Sequence, residues 1–158
     1  MIATRFAVAI HVLLLLASRQ VQGPATSARL AQSVNTNPVV VRRITGQLSR
    51  AGLIRVRRGP GGAELAHAPA AISLGDIWQA VNPGTRRPLL PVHTSPDMTC
   101  PVGRGVQDVL ARAFELAEAA MQDELRRISL DSLLQHLDCP AAPQPAPRWT
   151  GPALHPAP

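Results

Sequence analysis

Apolar positions come in seven runs whose spacing changes along the chain. Ala3 to Arg19 is apolar almost throughout, interrupted by His11, and reads as a first helix buried on nearly all sides. Leu30-Ala31 and Val34 then recur at helical spacing behind Thr26-Ser27, which offer a hydroxyl cap. After a turn at Asn35-Thr36-Asn37, Pro38 stands where a helix best tolerates proline, and a second short helix runs from Val39 to Arg50. Leu53 to Arg58 alternates with period two, Gly59-Pro60-Gly61-Gly62 turns the chain, and Ala63 to Ala66 can pair back as a hairpin. Ser73, with Asp76 in the first turn, opens a helix from Leu74 to Val81. The helical period returns from Arg104: Leu110, Phe114, Ala117, Met121, Leu125 and Ile128 recur at steps of three and four. Ser129 caps a last helix, Leu130 to Leu137.

Between these runs, residues 83–103 form a Pro-rich extended linker, and residues 139–158 are Pro/Ala repeats that read as a disordered tail. The chain divides into a head (1–82), the linker, a long-helix region (104–138) and the tail. The fold class expected is mainly α: a winged helix-turn-helix with a two-stranded β-wing and a long C-terminal dimerisation helix. The long helix needs a partner surface for its stripe, either its own head or a second chain. Two-fold dimers commonly read duplex operators, which favours Leu110, Phe114, Ala117, Met121 and Leu125 as a dimer interface.

Charge sharpens this picture. All 16 basic residues among the 158 are arginine, and the formal charge is +6. Residues 1–82 hold nine arginines against Glu64 and Asp76, whereas residues 83–137 hold six against seven acids. The basic excess belongs to the head, as a surface meeting phosphates requires. Thr36, Asn37, Val39, Val40, Arg42 and Arg43 open the recognition helix, the part that enters a major groove. Arg42 or Arg43 can pair with guanine, but adjacent helical positions do not both point into the groove. Arg57, Arg58 and Gly59 on the wing suit phosphate or the minor groove, and Thr26 and Ser27 can donate to phosphate. The glycines sit in a strand–strand turn, so a nucleotide-binding loop fails its context.

Cys100 and Cys139 are too few for a disulfide framework. The run Val8 to Ala17 mimics a signal peptide, yet it is too short to span a bilayer and leads directly into the helix pair. A cytoplasmic protein with no membrane association is the expectation. Cys100 precedes Pro101 at a helix start, where free N–H groups favour a thiolate, so it is the candidate redox thiol.

The chain resembles the Rrf2 family of bacterial transcriptional regulators. The resemblance rests on Arg5 to His11, Asn37 to Arg43, Leu48 to Leu53, Arg58 to Ala63, Ile72 to Leu74 and Cys100 to Gly103, in that order and spacing. It implies a homodimer whose long helices pair, with double-stranded DNA as partner at a pseudo-palindromic operator and a repressor as the expected function. Many members hold an iron–sulfur cluster through three linker cysteines. Here Val106 and Phe114 stand where the second and third would be, so the resemblance is to the cluster-free branch, with no cofactor and no metal. A site built from His11, His93 and Cys100 is the alternative, as is a regulator acting mainly through protein–protein binding. A thiol enzyme lacks a nearby base.

Overall fold

Residues 2–21, 23–57, 61–83 and 88–137 are described by the computed structural model. The expected disordered tail and wing residues Arg58 and Gly59 lie outside the described residues. Helix α1 (Ile2–Ser18) is followed by α2 (Ser27–Val34), α3 (Pro38–Arg50), β1 (Ile54–Arg57), β2 (Gly62–Leu65), a 3-10 turn at Pro69–Ala71, α4 (Leu74–Val81), α5 (Pro101–Arg127) and α6 (Leu130–Leu134). The two strands pair antiparallel, with Ile54 opposite Leu65 and Arg57 opposite Gly62. The fold is a winged helix-turn-helix with a long C-terminal helix.

Local chemistry sets most element ends. The Thr26 hydroxyl accepts from the Arg29 amide at 3.4 Å, and the Asn37 side-chain oxygen accepts from the Val39 amide at 2.8 Å. Asn35 closes α2 in the left-handed region at φ 54, a conformation asparagine tolerates. Ser73 and Asp76 form a reciprocal capping box: the Asp76 amide donates to the Ser73 hydroxyl at 3.1 Å and the Ser73 amide to the Asp76 carboxylate at 2.9 Å.

The core joins Val12 and Leu13 of α1, Leu30 of α2, Val41, Ile44 and Leu48 of α3, and Ile72, Ile77 and Val81 around α4. Phe6 meets Trp78 edge to face, with centroids 5.1 Å apart. Leu130 is also fully buried here. Residues at the end of the long helix, grouped by sequence with a separate region, therefore return to the head. The Leu74 amide donates to the Ile128 carbonyl and the Leu130 amide to the Ile72 carbonyl, each at 2.8 Å. Burying one leucine side chain is worth about 1.5–3 kcal/mol, enough to anchor the C-terminal end of α5.

Three expectations change. α1 is not buried all round: Thr4, Ala7 and His11 recur at three and four residues and form an exposed strip. His11 is thus a surface residue rather than a core histidine. α5 begins at Pro101 instead of Arg104, because proline fits the first helical position with Cys100 as cap. The linker is not free of structure. The Leu90 amide donates to the Glu118 carboxylate at 3.0 Å, and the Gln107 side chain to the His93 carbonyl at 2.8 Å. Gly103 has the Asp97 backbone so close that a Cβ would collide with it. Residues 90–97 therefore run antiparallel along one face of α5.

Among the described residues, no helix is long and apolar enough to cross a membrane.

Candidate nucleic-acid interface

The first three turns of α3 divide cleanly. Val41, Ile44, Thr45 and Leu48 turn inward, whereas Val39 and Val40 are 67% and 42% exposed and Arg42 and Arg43 are exposed beside them. Val39 and Val40 present methyl groups outward at the start of a helix otherwise packed against the core. Their methyl groups suit the thymine C5-methyl in a major groove, with an arginine beside them for guanine. Thr36 is half-buried, while Asn37 is exposed and occupied as the α3 cap. Thr26 is likewise a cap, and Ser27 is half-buried in the first turn of α2.

The wing is held beside this helix pair by its backbone. The Ala63 amide donates to the Ala25 carbonyl at 3.1 Å. Gly62 has φ +67, and a Cβ there would stand 2.5 Å from the Ala25 nitrogen, so only glycine fits this approach. On the strand, Arg55 and Arg57 share a face, and Arg57 forms an exposed ion pair with Glu64 at 3.0 Å. Such a pair is worth little in water, and Arg57 can exchange Glu64 for a phosphate. Arg55, Glu64 and the exposed Arg50 at the end of α3 were missed in the sequence reading. The IRVR alternation did carry the signal for Arg55, since residues two apart on a strand face the same way.

The remaining expected residues are spread through the molecule. Leu110, Phe114 and Met121 are half-buried, and Ala117 is exposed. Leu110 and Phe114 lie on the side of α5 along which residues 90–97 run. Leu125 packs against the core of its own head. Cys100 is exposed at the start of α5, where the backbone amides of Gly103 and then Val102 hold its thiol below the ordinary value. Asp97, three residues earlier, is held low by the Thr99 hydroxyl and amide, which donate to it at 2.7 and 2.9 Å.

Relatives agree with this geometry. The sequence model of the Rrf2 family, described as an iron-dependent transcriptional regulator, matches residues 2–136. The chain belongs to the Rrf2 family. It is 42% identical over 137 residues to the HTH-type transcriptional regulator YwnA of Bacillus subtilis strain 168, covering 87% of this chain and 99% of that one. A crystal structure described as a DNA-binding protein is 38% identical with a TM-score of 0.64, covering 82% of this chain and 98% of the other. Oxidised CymR of Staphylococcus aureus shares the fold at 23% identity and a TM-score of 0.63, over 87% and 98% of the two chains. This Rrf2 chain is a transcriptional regulator of winged-helix type.

The family's description raises iron, and the donor set does not fit it. Val106 and Phe114 replace thiolates on the long helix. His11 is exposed on α1, and no three His, Cys, Asp or Glu side chains among the described residues come together as a metal site. The site considered from His11, His93 and Cys100 is therefore not assembled.

Proposed function

We propose that this Rrf2 regulator acts as a homodimeric repressor, with two winged heads on a pseudo-palindromic operator and oxidation of Cys100 modulating binding. The observation that carries the reading is the exposed group Val39, Val40, Arg42 and Arg43 at the N-terminal end of α3, beside the basic wing. A helix presenting methyl groups and guanidinium groups together reads base edges, while Arg55 and Arg57 supply sequence-independent attraction. Two copies related by a two-fold axis read inverted half-sites about one helical turn apart.

Cys100 joins the linker to α5, and the helix N-terminus favours its thiolate, the form that oxidants attack. A larger, oxidised sulfur there would displace the residues that run back along the helix. The reading is supported by position and chemistry, and it keeps the protein in its bacterial cytoplasm with duplex DNA as partner.

Selection of bound duplexes from a randomised pool tests it. Enrichment of an inverted repeat, lost on Arg42→Ala with Arg43→Ala, is the expected result. Enrichment of nothing, or equal retention of random competitor, would replace it with a regulator that works through protein contacts.

A further inference from the structure

Where the C-terminal end of α3 meets α4, the two helices leave a cleft of about 440 Å³, a size that suits a small molecule. Gln47 and Arg50 line it from α3, and Asp76, Gln79 and Ala80 line it from α4. The α4 residues stand three and four positions apart, so they share one face of that helix. Leu53, just before β1, completes the lining with Ala80; the two are 8% and 7% exposed and apolar.

The polar groups around that apolar patch are charged oppositely and unspent. Arg50 and Asp76 are both exposed, and among the described residues neither forms an ion pair. Asp76 uses Oδ2 for the Ser73 amide and hydroxyl, at 2.9 and 2.7 Å, which leaves Oδ1 for a ligand. Gln47 is an independent sign. It is more than nine-tenths buried, yet its Oε1 meets no donor, and its Nε2 donates to the Val81 carbonyl over a long 3.4 Å. Native proteins seldom leave a buried amide oxygen without a donor. A ligand N–H in the cleft would supply one, and Gln47 gives up only that long bond to turn toward it.

We propose that the cleft between α3 and α4 binds a free α-amino acid with an apolar side chain, as an effector of the DNA-binding head. The carboxylate pairs with the Arg50 guanidinium, and the ammonium donates to Asp76 and to Gln47 Oε1. The side chain rests on Leu53 and Ala80. A simple carboxylic acid would meet Asp76 with like charge, and a simple amine would do the same at Arg50. Only a molecule carrying both charges answers both walls.

The position suits an effector. The same helix α3 that holds Gln47 and Arg50 presents Val39, Val40, Arg42 and Arg43 at its other end. On the far wall, α4 is joined to the end of α5 through Leu74 and Ile128. A ligand spanning Arg50 and Asp76 therefore bridges the recognition helix to the element that carries the long helix. The effector action rests on the DNA-binding reading, whereas occupancy of the cleft does not.

Calorimetric titration of the full chain, without DNA, tests occupancy. Alanine, valine, leucine and methionine are added separately at millimolar concentration, followed by the N-acetyl and the amide form of each. At least one free amino acid should bind, and both of its blocked forms should fail. Arg50→Gln, an exposed change, should weaken binding about tenfold or more. Asp76→Asn keeps an oxygen for the Ser73 cap and should weaken it similarly, with helical circular dichroism unchanged. Binding of none of the four overturns the proposal, as does binding that survives Arg50→Gln or blocking of either charged group. Operator affinity of wild type is then measured with and without the bound amino acid. A change of several-fold is expected; an unchanged affinity overturns the effector role and leaves the DNA-binding reading intact. Absence of any operator would overturn that reading, and the calorimetry would still decide the site.

Discussion

The Leu130 amide donates to the Ile72 carbonyl at 2.8 Å, so a residue beyond the long helix is stitched to the segment just before α4. Ser73 and Ser129 bridge antiparallel at the same point. This joint ties the end of α5 to the head, because α4 packs on both α1 and α3.

Leu130→Ala should therefore destabilise the protein by about 2–5 kcal/mol, the usual cost of a large-to-small change in a sealed core. Denaturant unfolding measures it. Amide exchange should also quicken first at residues 128–134. A loss well below 1 kcal/mol would mean that α6 is not part of the head's cooperative unit.

Arg43→Ala should weaken binding to the selected operator by about 1–3 kcal/mol if that arginine makes the two-pronged guanine contact. Arg55→Ala and Arg58→Ala should weaken all duplexes alike and reduce the salt slope by about one counterion each. Binding isotherms at several salt concentrations separate the two effects.

Gly62→Ala should cost more than about 1 kcal/mol, since a side chain at positive φ adds to a collision with the Ala25 backbone. Gly52→Ala has the positive φ without the collision and should cost less. Thermal melts of the pair compare strain alone with strain plus contact. A milder Gly62 variant would show that the wing is not pressed on Ala25.

The Cys100 thiol should react with iodoacetamide at lower pH in the folded protein than after denaturation, because helix amides favour its thiolate. A folded value below the unfolded one makes this contribution to stability present above the unfolded value. It is lost as pH falls through the folded value. Mild peroxide should reduce operator binding of wild type and spare Cys100→Ser. Equal loss in both would remove the thiol from regulation.

Signals acting over a few residues were legible in the sequence. The Ser73 cap with Asp76 in the first turn, the turn that ends at Asn37 before Pro38, the Gly-rich hairpin and the Arg42–Arg43 group all depend on neighbours within a turn. Short-range geometry and residue type are enough to place them. The position of His11 needed α1 docked, since an apolar run alone does not say which narrow strip stays wet. The surroundings of α5 needed the fold most. Periodicity marks the stripe of Leu110, Phe114 and Met121 as apolar. Only the pairing of Leu90 with Glu118 and His93 with Gln107 decided which side of α5 the chain covers itself. Those contacts join residues 28 and 14 positions apart, and their partners become neighbours only after the linker has turned back along the helix.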